Sequence, residues 1–176
     1  MDLVGKCLIA KPCITDSLFE KSVVYIYEQT RHGTAGLIIN KRNNTITTHD
    51  ILLNKSFDAV DLPERVYIGG PIHPATVILL HTNDWQSSNT LQVNDQLSVT
   101  SDDLMFYKYT TGNRPNGYKF CMGVSVWDPR KIADEIRSNQ WLVCELGVHQ
   151  ILDLHGSTMW DVAVETAAKN TIDRYI

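Results

Sequence analysis

The sequence predicts one α+β domain, residues 1–176, with a mostly antiparallel or mixed, twisted β-sheet core flanked by several helices. Short segments rich in β-branched and aromatic residues, a composition typical of strands, recur through the chain. Helical patterns are interspersed among them and become denser toward the C-terminus, which favours α+β over a doubly wound parallel sheet. No repeat, linker or low-complexity tract divides the chain.

Apolar segments bounded by turn residues predict the strands. They lie, in chain order, at residues 7–10, 23–27, 37–39, 66–68, 76–81, 91–93, 97–99 and 118–126. A turn at 32–34 joins two of them into a hairpin, and Asn94-Asp95 is placed to turn a second hairpin. Gly123 lies inside the last strand, which indicates a bulge or a close approach by another backbone.

Capping patterns mark the starts of the predicted helices. In a capping box, two side chains three residues apart each accept a hydrogen bond from the other residue's backbone N–H. The predicted helices begin at Thr47 with Asp50, near residue 102, at Asp128 with Pro129, and near Ser157 or Thr158 with Asp161.

Composition excludes several classes of protein. Of the 176 residues, 43% are hydrophobic and 20% are charged, which is typical of a folded globular domain. The net charge of −4 argues against direct nucleic-acid binding, because neutralising phosphates needs clustered Lys and Arg. The N-terminus lacks a signal-peptide pattern, and the apolar runs are far shorter than the about 20 residues that span a bilayer. We therefore expect a cytoplasmic protein without membrane contact.

The four cysteines lack the spacing of a metal site or a redox motif, since no pair is arranged as C-x-x-C. Cys121 and Cys144 lie in apolar stretches and are expected to be buried as small hydrophobic residues. Cys7 and Cys13 are close enough in sequence to leave a disulfide open as an alternative.

Several short motifs follow one another in order over nearly the whole chain. They are Gly5-x-x-Leu8-Ile9-Ala10-x-Pro12 with Asp16, Phe19 and Ser22, then Gly36-Leu37-Ile38-Ile39-Asn40, Gly69-Gly70-Pro71 with Leu80-His81, and Gly123-x-x-x-Trp127 with Trp141-Leu142. This ordered set resembles the AlgH/YqgE family of bacterial proteins. The resemblance implies no cofactor and no defined reaction, because the family is largely uncharacterised and some members are only labelled transcriptional regulators.

Polar and aromatic residues of these motifs lie at or near strand ends, and we expect them to line one concave surface. The predicted ligand-binding residues are Pro12, Asp16, Phe19, Ser22, Asn40, Gly69, Gly70, Pro71, His81 and Trp127. No complete catalytic set accompanies them. The first hypothesis is therefore a non-catalytic regulatory domain that binds a small ligand or a protein partner without a cofactor.

Two other functions stay open. A hydrolase would use His81 as general base and Asp16 to orient it, provided that the two side chains lie within hydrogen-bond reach. A protein-interaction module would instead expose an apolar patch. Asp16 also has a structural interpretation, in which its side chain accepts hydrogen bonds from backbone N–H groups of its own turn.

Two glycine motifs resemble catalytic loops only in part. The turn at 69–71 lacks the Lys-Ser/Thr ending of a phosphate-binding loop, so a tight turn is the simpler interpretation. Ser125 follows Gly123 as in a nucleophile elbow, but Trp127 stands where the second glycine belongs.

His149, Asp153 and His155 would share one face if residues 149–155 formed a strand, since alternate side chains of a strand point the same way. Three such side chains are enough to bind a metal ion. His and Asp are also common on solvated surfaces, and no metal is predicted.

Overall fold

The structure is a computed structural model that describes residues 1–15, 17–57 and 65–176; Asp16 lies outside the described residues. The strands are β1 Cys7–Ala10, β2 Val23–Thr30, β3 Gly33–Ile38, β4 Arg42–Thr47, β5 Arg65–Ile68, β6 Ile72–Thr82, β7 Leu91–Gln92, β8 Leu97–Thr100, β9 Tyr118–Trp127 and β10 Trp141–Cys144. The helices are α1 Thr48–Asn54, α2 Leu104–Thr110, α3 Pro129–Arg137, α4 Val148–Asp153 and α5 Gly156–Asp173.

The long strand β9 joins two parts of one mixed sheet. The order β10-β1-β2-β3-β9-β6-β8-β7 is antiparallel between every pair of neighbours. Strand β5 runs parallel to β9, and β4 pairs antiparallel with β5. The N-terminal part of β9 pairs with β5 and β6, and its last residues pair with β3. This architecture confirms the α+β prediction.

A backbone crossing fixes the point at which β9 changes partners. Gly123 has a φ of +82°, and a Cβ added there would lie 2.2 Å from the carbonyl oxygen of Gly70. A Cβ on Gly70 would likewise lie 2.2 Å from the backbone of Val124. Only glycine permits this approach, which confirms the prediction that another backbone comes close to Gly123.

The main apolar cluster contains residues from both parts of the sheet. Ile9, Tyr25 and Leu37 of β1–β3 share it with Ile78 of β6 and Cys121 of β9. Because distant strands contribute to one cluster, the sheet must curl around it, and α4 and α5 pack against the same cluster.

Each part of the sheet also buries its other face. Val24 and Ile38 pack with Ile132 of α3, while Leu79 packs with Phe106 of α2 in a cluster that also includes α1. Strands covered on both faces become continuous apolar runs, which explains why they were visible in the sequence.

Most predicted elements are confirmed, including both hairpins and two capped helices. Thr47 and Asp50 form the expected capping box, and the Oδ1 of Asp128 accepts hydrogen bonds from two backbone N–H groups of α3. The capping box expected at Asp161 is wrong, because α5 begins earlier, after His155, and has no side-chain cap. Strands β4 and β10 and helix α4 were not predicted.

All four cysteines are free thiols. Cys121 and Cys144 are buried, as predicted. Cys7 is buried and Cys13 is exposed, so the alternative of a Cys7–Cys13 disulfide is not realised.

Candidate functional site

Phe19 and Trp127, two of the predicted ligand-binding residues, belong to a packed aromatic cluster. Their rings lie 5.7 Å apart, and Trp141 lies 5.8 Å from Phe19 and 5.9 Å from Trp127. The Oε2 of Glu135 accepts hydrogen bonds from both indole N–H groups, at 3.1 Å from Trp127 and 2.8 Å from Trp141. Both indoles are buried, so this cluster anchors α3 to the sheet beside β9 and β10.

Ser22 and Pro12, two further predicted ligand-binding residues, differ in burial. Ser22 is fully buried, its carbonyl accepts a hydrogen bond from the Ala10 N–H at 3.0 Å, and its Oγ has no hydrogen-bond partner within the described residues. Pro12 is exposed. Asp16, another predicted ligand-binding residue, lies outside the described residues.

Gly69 and Gly70 lie in the connection between β5 and β6, which packs closely against the sheet and is not an open loop. The Gly69 N–H donates to the Met122 carbonyl at 2.8 Å, and its carbonyl accepts from the Ile38 N–H at 2.8 Å. The hydroxyl of the buried Ser125 donates to the same carbonyl at 3.0 Å. Both glycines are buried, whereas Pro71 is exposed.

His81 is a core residue whose two ring nitrogens are both occupied. Nδ1 lies 2.8 Å from the Thr82 carbonyl oxygen, and Nε2 lies 2.8 Å from the Thr100 Oγ1. A carbonyl only accepts, so Nδ1 carries the proton and Nε2 accepts from the threonine hydroxyl. Burial lowers the pKa of His81, which favours this neutral form. The side chain is 0% exposed and also packs against Trp85.

Asn40 joins three segments of the chain. Its Oδ1 accepts from the Val23 N–H at 2.9 Å, and its Nδ2 donates to the carbonyls of Lys21 at 2.9 Å and Gly156 at 3.1 Å. The Asn40 carbonyl accepts from the Gly156 N–H at 2.9 Å. Asn40 therefore holds the start of α5 against the sheet.

A surface cleft of about 320 Å³ lies at this start of α5. We call it the α4–α5 cleft; it is lined by Asp153, Leu154, His155, Gly156, Ser157 and Thr158. The first backbone N–H groups of a helix have no intrahelical acceptor, so the Ser157 and Thr158 segment offers donors to the cleft.

Lys119 supports the α4–α5 cleft from inside the protein. Its Nζ donates to the carbonyls of Ile39 at 2.9 Å and Leu154 at 2.5 Å, and lies 4.6 Å from the Tyr67 ring centroid. The residue is 4% exposed, and burial lowers the pKa of Lys119 to about 8. A lone lysine between apolar strand residues was the sequence signal for this position, and it was missed.

Positive side chains from strands β4, β5 and β9 lie near His155, which precedes α5. The Arg65 Nη1 lies 2.6 Å from His155 Nε2 and 3.1 Å from Nδ1. Burial, followed by the charges of Arg65, Lys119 and Arg42, lowers the pKa of His155. Among the residues that the structure describes, no ion pair includes either arginine or Lys119. The charge of Asp153 acts on Lys119, but no described carboxylate pairs with Arg42 or Arg65.

Residues 149–155 do not form a strand, so the three-ligand alternative that depended on one is not realised. Residues 148–153 form α4, where His149 and Asp153 are one turn apart and their Nδ1 and Oδ2 atoms lie 3.1 Å apart. His155 instead contacts Arg65. No group of three or more His, Cys, Asp or Glu side chains suited to a metal ion occurs in the described part of the chain.

Two further clefts lie elsewhere. One of about 550 Å³ is lined by residues of both charge signs between β10 and the C-terminal part of α5, and one of about 150 Å³ lies beside β8. None of the described residues predicted to bind a ligand lines either cleft or the α4–α5 cleft itself. Asn40 contacts the wall of the α4–α5 cleft through its hydrogen bond to Gly156.

No helix in the ranges described is long and apolar enough to cross a membrane.

Comparison with known proteins gives one consistent result. The AlgH-like family model matches residues 7–171. A UPF0301 protein of Parabacteroides distasonis is 31% identical over 170 residues, covering 94% of this chain and 83% of that protein. Another, from Marinomonas sp., is 35% identical over 140 residues, covering 78% of this chain and 74% of that protein.

Two solved structures share the fold. The solution structure of the AlgH protein from Pseudomonas aeruginosa has a TM-score of 0.80 at 23% identity, covering 93% of this chain and 88% of that one. The crystal structure of a Corynebacterium diphtheriae protein has a TM-score of 0.74 at 22% identity, covering 92% and 86%. The family match over nearly the whole length, supported by these relatives, shows that the chain belongs to the AlgH-like family.

Proposed function

We propose that this AlgH-like protein is a non-catalytic regulatory domain that binds a small ligand in the α4–α5 cleft. The observation that carries the proposal is the convergence of buried polar contacts beneath that cleft. Asn40 and Lys119, both almost fully buried, direct hydrogen bonds to Gly156 and Leu154 in its wall.

These contacts hold the cleft in one shape before any ligand arrives. Preorganisation reduces the conformational entropy that binding costs, so a fixed cleft favours affinity. Its volume of about 320 Å³ suits a small metabolite, near the lower end of the about 300–1,000 Å³ typical of ligand sites.

The alternative of a hydrolase using His81 and Asp16 receives less support. A general base must reach the proton that it abstracts, directly or through one water. His81 is fully buried, and both of its ring nitrogens are engaged by Thr82 and Thr100. Ser125, which occupies the serine position of the partial nucleophile-elbow motif, is also buried, and its hydroxyl donates to a backbone carbonyl.

We also propose that the protein is regulatory and cytoplasmic, the first from the family resemblance and the second from the sequence pattern. Some AlgH/YqgE proteins are labelled transcriptional regulators. With a net charge of −4, a ligand-dependent contact with a protein partner accounts for such a role better than direct contact with DNA.

A thermal-shift screen against a metabolite and nucleotide library tests the proposal, because a ligand that binds only the folded state raises the melting temperature. Ser157→Trp fills the cleft, and Ala168→Trp places the same side chain on an exposed position of α5 outside the cleft. We expect at least one compound to raise the Tm of the wild type and the Ala168→Trp variant but not of Ser157→Trp. Equal shifts in both variants, or no shift with any compound, would contradict a ligand site in this cleft.

A further inference from the structure

We propose that the ligand of the α4–α5 cleft is a small molecule carrying a phosphate-type dianion, bound by Arg42, Arg65 and His155. The inference rests on the proposed function and names the chemical class that the same site would take. It is carried by Arg42 and Arg65, which lie on the paired strands β4 and β5, and by the contact between Arg65 and His155, a residue of the cleft wall.

Strand pairing places the basic residues on one face. Arg65 and Tyr67 are two residues apart in β5, so their side chains point to the same side of the strand. Arg42 pairs directly with Tyr67 across β4 and β5, and directly paired residues share a face. The Nζ of Lys119 lies 4.6 Å from the Tyr67 ring, which puts a third positive charge on that side.

The contact between Arg65 and His155 explains why an anion would be favoured. Two basic groups lie 2.6 Å apart, and the contact is tolerated because His155 is neutral and can accept from the guanidinium. Protonation of His155 would place two like charges together, which agrees with the lowered pKa of His155. An anion beside both groups would compensate the second positive charge when His155 is protonated, and would accept hydrogen bonds from both.

A phosphate-type group matches the number and kind of donors. Guanidinium groups form paired hydrogen bonds with phosphate oxygens, and a dianion balances two arginines better than a single carboxylate does. Arg42, Arg65 and His155 are exposed, so all three are accessible to a ligand from solvent. The backbone donors at Ser157 and Thr158 add to this set but do not carry the argument.

One carboxylate lies in the wall of the cleft. Asp153 is paired with His149 through its Oδ2, at 3.1 Å, and its charge also favours the protonated form of Lys119. Among the described residues, the charged groups around His155 are Arg42, Arg65, Lys119 and Asp153, three positive and one negative, and the titratable Tyr67 hydroxyl lies against Arg65.

Isothermal titration calorimetry at constant ionic strength tests the inference with inorganic phosphate, glycerol 3-phosphate, sulfate, acetate and glycerol. We expect both phosphates and sulfate to bind, with acetate weaker and glycerol silent. Arg65→Gln should weaken phosphate binding by about tenfold, since it removes a charge-assisted contact. Arg42→Gln should weaken it less, because no contact between Arg42 and His155 accompanies its electrostatic effect.

Arg137→Gln is the matched control, since Arg137 is an exposed arginine of α3 with its own partner, Asp134. Its affinity for phosphate should equal that of the wild type. Equal weakening by Arg65→Gln and Arg137→Gln would overturn the inference, because binding would then reflect only the general surface charge.

Sulfate supplies a second readout because its charge is constant near neutral pH. The affinity for sulfate should rise as the pH falls through about 6.5 and below, because the pKa of His155 is lowered in the free protein and bound sulfate favours its protonated form. An affinity independent of pH would remove His155 from the site. If only uncharged compounds shift the Tm in a manner blocked by Ser157→Trp, the ligand class is wrong but the binding role survives. If no compound shifts the Tm, both fail.

Discussion

Asn40 and Gly156 form two reciprocal hydrogen bonds between residues 116 positions apart in sequence. The Gly156 N–H donates to the Asn40 carbonyl at 2.9 Å, and the Asn40 Nδ2 donates to the Gly156 carbonyl at 3.1 Å. The end of the β3 segment thereby fixes where α5 begins, and with it the wall of the α4–α5 cleft.

Replacing Asn40 should destabilise the fold strongly. Asn40→Ala removes the acceptor of the Val23 N–H and the donor to Lys21 and Gly156 in a position that is 2% exposed. Buried groups left without partners cost about 1–3 kcal/mol each, so we expect a loss of several kcal/mol in the free energy of unfolding, measured by urea denaturation. Asn44→Ala, at an exposed position, should change it by less than about 0.5 kcal/mol. Equal losses would contradict the role assigned to Asn40.

Gly123 and Gly112 provide a matched pair for the backbone crossing. Their φ angles are +82° and +84°, so alanine suffers similar backbone strain at both positions. A Cβ meets the Gly70 oxygen at 2.2 Å in the first case and nothing within 4 Å in the second. We expect Gly112→Ala to cost roughly 1 kcal/mol and Gly123→Ala to cost several kcal/mol more or to prevent folding. Thermal melts followed by circular dichroism distinguish the two variants. Similar melting temperatures would contradict the close backbone approach at Gly123.

The sequence predicted most of the strands because their apolar residues are consecutive. Strand β4 escaped because its residues, Arg42–Thr47, are polar and half-exposed, and therefore lack the composition of a buried strand. Helix α4 escaped because it has only six residues, too few for helical periodicity to differ clearly from strand alternation.

The candidate site was less accessible to sequence reasoning. Asn40 was identified through its motif, but its action on Gly156 depends on a contact across 116 positions. Arg65 and His155 are 90 positions apart, and nothing local in either segment indicates their contact. Residues that share a site through sheet topology leave no spacing pattern in the chain. A lone lysine within an apolar strand, such as Lys119, is visible in the sequence by itself.

Lys119 should make stability depend on alkaline pH. Burial lowers the pKa of Lys119 to about 8 in the folded protein, below its usual value of about 10.4 when unfolded. Between these values the unfolded state binds more protons, so this residue's contribution to stability increases as pH rises from about 8 toward about 10.4. The difference in unfolding free energy between wild type and Lys119→Met should therefore shift in favour of the wild type over that range. Using the difference cancels the ionisation of other groups, such as the buried Tyr25, whose pKa is raised by burial.

Lys169→Met serves as the control for Lys119, because Lys169 is exposed on α5 and pairs with Glu165. The pH-dependent change in Lys119→Met should exceed any change seen in Lys169→Met over the same range. A flat difference for Lys119→Met would mean that the ammonium is better solvated than its buried position indicates.

His81 should make the protein sensitive to acid. Burial lowers the pKa of His81, so below about 6.5 the unfolded state takes up a proton that the folded state resists, and stability falls as pH falls. His81→Gln, which does not titrate, should show a shallower decline in unfolding free energy between about pH 6.5 and pH 5, although its stability at pH 7 is lower because the bonds to Thr82 and Thr100 are disturbed. His32→Gln, at an exposed position, is the control for replacing a histidine outside the core. An unchanged slope in His81→Gln would show that the buried ring accepts a proton in the folded protein, which reopens its use as a base.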